Sequence, residues 1–277
     1  MVRWGRRRVA GRVCLVTGAS SGIGRATALR LSGAGHIVYG VARRVRLMDD
    51  LRHAGGYALA MDVTREDDLR RVVRTVLDEQ GRIDVLVNNA GAGLHGAIED
   101  VPVEEARRLF EVNLFGPAEL TRLVLPHMRE RSSGTIVNVS SIAGEISLPL
   151  VAWYHASKHA LETYSDSLRQ ECRPFGVSVV VVQPGIIKTE FEEDTSRRLR
   201  AVSGGGAYGA LAETMASRAE GATRGSDPAV VAETIRSVIE SPRPRPRYHV
   251  GHLAGTLLTL NRILPDRAFD ALVTRTG

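Results

Sequence analysis

Lysine is almost absent from this chain: its 277 residues include 35 arginines but only two lysines, Lys158 and Lys188. Where a cation merely has to be present the protein uses arginine, so each retained ammonium calls for a chemical reason of its own. Cysteine is as scarce, with Cys14 and Cys172 alone. That excludes a disulfide framework and fits a reducing, cytoplasmic setting. Cys14 sits in an apolar run and reads as a small buried hydrophobe. No Cys/His cluster has metal-ligand spacing, so no metal site is expected. No apolar run approaches the roughly 18 residues of a spanning helix, and the basic residues 1–8 are not followed by a signal-peptide core. The net charge of +6 is concentrated in Arg3, Arg6, Arg7 and Arg8 and in Pro242-Arg243-Pro244-Arg245-Pro246-Arg247. Aromatic residues make up only 5% of the chain and none interleaves with these runs. They therefore read as a solvated tail and a stiff exposed connector rather than a nucleic-acid surface.

What is plentiful is a strand–helix alternation. Apolar runs at 12–17, 37–41, 57–61, 84–87, 135–139 and 177–182 lack the polar-out pattern of half-exposed strands. They read as strands buried on both faces. Between them fall helical patterns at 22–34, 64–80, 102–131 and 152–172, the second capped by Thr64 with Glu66, Asp67 and Asp68 in its first turn. This order predicts an α/β fold, a doubly wound parallel sheet (Rossmann fold) in a single domain over 1–277. Residues 188–226, with Ser203-Gly204-Gly205-Gly206, form the least regular stretch and read as a lid. It offers Ile186, Phe191, Leu199, Tyr208, Leu211 and Met215 as an apolar pocket lining or as core. Asp227-Pro228 starts another helix. The extension at 252–277 carries a helical stripe through Leu257, Leu260, Leu264 and Phe269. Such a stripe covers a pocket, pairs subunits or touches a membrane, and Asp266 and Asp270 argue against the last.

Thr17-Gly18-Ala19-Ser20-Ser21-Gly22-Ile23-Gly24 closes the first strand and opens the first helix, the context a dinucleotide loop requires. Gly18 permits the turn, Gly22 lets a pyrophosphate approach, and Gly24 lets helix and strand pack closely. Ser20, Ser21 and free N–H groups at the helix start can hold phosphate oxygens. The second strand ends in Ala42-Arg43-Arg44, with no acid before Asp49. An acid there would bind a ribose 2′-hydroxyl, whereas a guanidinium grips a 2′-phosphate. Arg43 and Arg44 therefore point to NADP(H), with Arg46 as a substitute should Arg44 face away.

Tyr154 and Lys158 stand four apart on a helical pattern and share a face, and Ser141 lies thirteen residues upstream of the tyrosine. A nearby ammonium favours the phenolate, which makes a tyrosine useful as a proton donor and acceptor near neutral pH. Trp153, His155, His159 and His95 lie close to this pattern or to the expected pocket. The histidines read as structural, and Trp153 either lines a pocket or packs.

Taken together, these motifs resemble those of the short-chain dehydrogenase/reductase family over residues 10–195. Thr17 to Gly24 matches TGxxxGxG, Asn88-Asn89-Ala90-Gly91 matches NNAG, Tyr154 with Lys158 matches YxxxK, and Pro184-Gly185 with Thr189 matches PGxxxT. The resemblance implies Asn113, Ser141, Tyr154 and Lys158 as the catalytic set. Ser141 would hold the substrate oxygen, Tyr154 would transfer the proton, and Lys158 would bind the nicotinamide ribose. Asn113 would anchor a relay water. Around the cofactor it implies Asp62 and Val63 at the adenine, Asn89, Ala90 and Gly91 on the adenosine side, and Ile187 and Thr189 at the carboxamide. It also implies a homodimer or homotetramer and a small-molecule alcohol or carbonyl substrate. Tyr39 to Arg44 and the Leu-Pro-Asp-Arg segment at 264–267 are similar to the 17β-hydroxysteroid and retinol dehydrogenase-like branch, which implies an apolar substrate. The alternative is an NADP(H)-binding regulatory or scaffold protein without turnover.

Overall fold

The computed structural model describes residues 11–221 and 225–274, excepting the side chains of 190–194 and 221. The basic cluster Arg3, Arg6, Arg7 and Arg8 and the side chain of Phe191 lie outside that set. The first half of the chain runs β1 (Val13–Thr17), α1 (Gly22–Gly33), β2 (Ile37–Ala42), α2 (Asp49–His53), β3 (Tyr57–Ala60), α3 (Glu66–Gln80) and β4 (Val85–Asn88). It continues through α4 (Val103–Phe110), α5 (Gly116–Glu130), β5 (Gly134–Val139), α6 (Ala152–Cys172) and β6 (Val177–Pro184). Then follow α7 (Glu190–Ser203), α8 (Gly209–Gly221), α9 (Pro228–Glu240), β7 (Arg247–Val250), α10 (Ala254–Ile263) and α11 (Asp266–Thr274). Among the described residues the strands form one parallel sheet ordered β3-β2-β1-β4-β5-β6-β7.

The side-chain period of two sends alternate residues of each strand into two separate cores. Cys14 and Val16 of β1 pack with Ala28 and Leu31 of α1 and Ile235 and Val238 of α9. Val13 and Leu15 pack on the other face with Val72 and Val76 of α3, Leu120 and Val124 of α5, and Leu168 of α6. Each fully buried aliphatic side chain contributes about 1.5–3 kcal/mol relative to exposure. Burial on both faces is why β1, β2, β4, β5 and β6 lack a polar alternation, whereas β3, expected to be buried, lies at the sheet edge and is half-exposed. Across the middle of the sheet, Asn88 donates to Asn138 (2.9 Å) and Thr121 (3.2 Å), and Asn138 donates to Ser165 (2.8 Å). This buried ladder joins β4, β5, α5 and α6.

The structure corrects the expected elements in five places. Thr64 caps nothing: its amide and hydroxyl both turn back to Asp62 Oδ1 (3.0 and 2.8 Å), and α3 starts after Arg65 with no side-chain cap. The long helix expected over 102–131 is interrupted at 111–115 by a π-turn, where Gly116 N donates to Glu111 O. Residues 188–226 are not irregular, because α7 and α8 occupy most of the stretch and pack through Leu199, Ala212 and Ala216. The connector 242–247 is not wholly solvated, since Arg247 opens a seventh strand that the sequence reading missed. The C-terminal stripe is two helices that bend at Pro265. The Asp227 cap is present, its carboxylate accepting from Ala229 N at 2.8 Å.

Candidate active site

The C-terminal ends of the parallel strands meet along one edge, and the order reverses between β1 and β4, where open α/β sheets bind ligands. The loop between β1 and α1 is shaped by glycine. Gly18 has φ +68°, and a Cβ there would lie 2.8 Å from Asn89 Nδ2. A Cβ at Gly24 would fall 2.2 Å from Gly18 O, so only glycine lets α1 approach β1 this closely. Thr17 Oγ1 accepts from Asn89 N and Ala90 N (both 2.9 Å), and Asn89 Nδ2 donates to Thr17 O (2.9 Å). The glycine loop and the Asn89–Gly91 turn are thereby latched together. Ser21, at the N-cap of α1, makes no side-chain capping bond and instead accepts from Arg44 Nη2 at 3.1 Å.

On the opposite wall, Ser141 follows β5 and its Oγ accepts from Ala143 N at 3.1 Å, which leaves the hydroxyl proton available. Tyr154 and Lys158 lie on the first turns of α6. Lys158 Nζ donates to Val139 O at 3.0 Å and stands 5.9 Å from the centroid of the Tyr154 ring. Burial pulls the Lys158 ammonium down to about 8, and the charge of Glu162 opposes that pull. Asn113, in the π-turn, is buried behind this wall. Its Oδ1 accepts from Ala92 N (2.8 Å), and its Nδ2 donates to Ala92 O and Ser157 Oγ (both 3.0 Å). Ser157 Oγ then donates to Tyr154 O at 2.7 Å. Asn113 therefore braces the turn of helix that presents the tyrosine.

These walls enclose a cavity of about 970 Å³. It is lined by Gly18, Ser20, Ser21, Gly22, Ile23, Arg43, Arg44, Asp62, Val63, Asn89, Ala90, Gly91, Ser141, Tyr154, Lys158, Pro184, Gly185, Ile187 and Thr189. Of the residues singled out in the sequence, Gly24 and Asn113 stand behind the surface in packing and bracing positions. Arg46 is also outside the wall. Trp153 does not line the cavity and packs with Leu94, Val101 and Leu109. His155 does line it, but its Nδ1 is paired with Ile146 O and burial pushes its imidazole down, which keeps it neutral. His159 is turned onto His155 O (2.9 Å).

The far arm of the cavity is apolar. Ile186, Leu199 and Met215 line it, Leu199 and Met215 while also packing in the core between α7 and α8, where Tyr208 and Leu211 pack without reaching the cavity. Sequence reasoning missed Ile146, Leu148 and Pro149, which belong to the segment linking Ser141 to Tyr154. The only signal was topological: a chain joining two site residues must pass the site. Leu257 and Leu260 of α10 and Leu272 of α11 complete the wall, so the C-terminal stripe roofs the pocket. Arg262 pairs with Glu145 (2.8 Å), Asn261 donates to Glu145 O (3.0 Å), and Arg218 Nη1 donates to Val273 O (3.0 Å). These bonds tie the roof to the turn after Ser141 and to α8.

A glycine-looped, doubly wound sheet with Ser, Tyr and Lys at its switch edge defines a dinucleotide-fold oxidoreductase scaffold. The family model described as short chain dehydrogenase matches residues 12–200. A probable short-chain type dehydrogenase/reductase of Helicobacter pylori is 34% identical over 94% of this chain and 96% of its own. A 3-ketodihydrosphingosine reductase of Bacteroides thetaiotaomicron is 42% identical over 66% of each chain. Among solved structures, a short-chain dehydrogenase from Streptomyces avermitilis superposes with TM-score 0.76 at 38% identity, covering 90% of this chain and 92% of its own. The chain belongs to the short-chain dehydrogenase/reductase family and is an oxidoreductase by that membership. Among the described residues, no helix is long and apolar enough to cross a membrane, and no group of three or more His, Cys, Asp and Glu could hold a metal ion.

Proposed function

We propose that the protein is an NADP(H)-dependent oxidoreductase that interconverts an apolar, lipid-like alcohol and its ketone or aldehyde. The observation that carries this reading is a single cavity that joins the glycine loop and Arg43/Arg44 to Ser141, Tyr154 and Lys158, and then to an apolar arm. The residues present fit a dinucleotide. The first turn of α1 has no side-chain cap, Gly18 and Gly22 are left-handed, and no acid stands at the end of β2 to repel a 2′-phosphate. A similar solved structure, a serine dehydrogenase 27% identical to this chain, is complexed with NADP+. Another, a 3-ketoacyl-(acyl-carrier-protein) reductase also 27% identical, is complexed with NADH. The arginine pair is what favours the phosphorylated form here.

When bound, the dinucleotide supplies or accepts the hydride. The protein's own residues handle the oxygen and the proton. Ser141 donates its free hydroxyl proton to the substrate oxygen and stabilises charge developing there. Tyr154 gives that oxygen a proton in reduction and takes it back in oxidation. Lys158, positive at neutral pH, favours the phenolate in a water-poor site and would hold the nicotinamide ribose. The polar atoms of the Asn113 side chain are engaged with Ala92 and Ser157, which makes it a brace for the helix that carries Tyr154.

The test is oxidation of NADPH with a panel of apolar ketones that includes a long-chain 3-ketone, the class named by the Bacteroides relative. Tight NADPH binding without turnover of any carbonyl would leave the non-catalytic binding protein as the reading. In the double variant Arg43→Ala/Arg44→Ala, loss of charge-assisted bonds to a 2′-phosphate raises the Kd for NADPH by about 10–100-fold. The Kd for NADH moves less than about threefold, and fluorescence titration of both cofactors checks the difference.

A further inference from the structure

Glu162 lies one helical turn beyond Lys158 on α6, and none of the steps assigned above uses it. It is 5% exposed, and its carboxylate accepts from Gln183 Nε2 at 2.9 Å and from Arg247 Nε at 3.0 Å. Gln183 also donates to Glu145 at 2.7 Å, and Arg247 reaches Asp166 at 2.6 Å. Burial pushes the Glu162 carboxyl up, and the Arg247 guanidinium and the Gln183 amide that it meets oppose that by favouring the ionised form. A buried ion pair is seldom a gain over apolar packing of the same volume, so core stability alone does not account for a negative charge at this place.

We propose that Glu162 is a positioning residue for Lys158: its buried charge keeps the ammonium protonated where desolvation favours the neutral amine. This inference rests on the reading of Lys158 as part of the active site. The geometry leaves little else to perform the task. Around Lys158, β5 offers the carbonyl of Val139, the turn after β4 offers the backbone of Gly91, and the π-turn offers Asn113. None of these titrates; the ionisable side chains near Nζ are Tyr154 and Glu162, both on α6. Facing Glu162 and its partners are Arg247 and His249 on β7, Asp166 on α6, Glu145 after β5, and Arg262 on α10. The lowering of Lys158 has desolvation as its first cause and Glu162 as its counterweight, which agrees with the geometry.

The scarcity of lysine makes the test direct. Full-length protein labelled with ¹³Cε-lysine gives two lysine signals, assigned with Lys188→Arg, and exposed Lys188 serves as the internal control. In Glu162→Gln the titration midpoint of Lys158 falls by about one pH unit, a tenfold change in its proton affinity, while that of Lys188 stays put. The alkaline decline of kcat moves down by the same amount, and kcat at pH 6 stays within about threefold, because Lys158 is still charged there. A role limited to structure would lower kcat evenly across pH. If Glu162→Gln does not fold, Glu162→Gln/Arg247→Met removes both charges together, a replacement that buried pairs commonly tolerate, and the same midpoint is read. An unmoved Lys158 signal overturns the inference. A shifted signal in a protein that reduces no carbonyl upholds the electrostatic link and defeats the catalytic reading instead.

Discussion

Replacing Tyr154 with phenylalanine lowers kcat by about 10³-fold, the middle of the range for loss of a general acid–base, while the Kd for NADPH changes less than about threefold. The phenyl ring keeps the packing beside Ala92, Leu94 and Trp153, so the brace from Asn113 through Ser157 stays intact and only the exchangeable proton is lost. Steady-state rates with the best ketone of the panel and a fluorescence titration of NADPH separate the two quantities. A variant with more than about a tenth of wild-type kcat would show that the proton comes from another group.

Lys158→Met produces the opposite pairing of effects: activity is lost and the unliganded protein becomes more stable. The ammonium sits at about 8 in the fold against about 10.4 in an unfolded chain. Between those values the unfolded chain binds more protons, so wild-type stability rises with pH across that window. The full penalty applies below it. Methionine has no charge to desolvate, and its unbranched side chain fills the same space. Loss of the bond to Val139 O returns about 1 kcal/mol of the gain. The net expectation at pH 7 is about 1–3 kcal/mol of stabilisation, with the rise in stability above pH 8 flattened. Thermal melts at several pH values check both. An unchanged pH dependence would mean that the wild-type lysine is not desolvated. Stability given up for a charged group at a reaction centre is a common exchange.

The central sheet was legible because five of its strands are buried on both faces or nearly so, and glycine, proline and acid punctuation marked their ends; β3, at the edge, is half-exposed. The polar half of the site was legible because its residues follow the strand ends at short range. The glycine loop and the Ser141, Tyr154, Lys158 group accordingly meet in one cavity. Some illegible features depended on partners far along the chain and others on local competition. The strand at 247–250 reads Arg-Tyr-His-Val, and Glu162 and Asp166, 85 and 81 positions earlier, explain why an arginine stands there. Thr64 has every local mark of a cap, but the carboxylate of Asp62 competes for it more closely than the helix does. The π-turn that seats Asn113 adds one residue to a helical repeat, and a pattern of apolar positions barely registers such a shift. The segment 145–151 has no periodicity, so its side chains in the apolar arm could not be chosen from sequence.

The two terminal helices add no strand to the sheet, yet Leu257, Leu260 and Leu272 form a whole side of the apolar arm. The apolar side of the cavity is thus built largely by elements other than those that carry the glycine loop, Ser141, Tyr154 and Lys158. Leu257, Leu260 and Leu272 face the cavity, while Ala254, Leu258 and Phe269 of the same helices are buried against Ile142 and Ile146, so the first three can vary with the cavity's shape and the last three hold the helices in place. Changes at those three positions reshape one end of the cavity and leave the glycine loop and Tyr154 at the other end as they are.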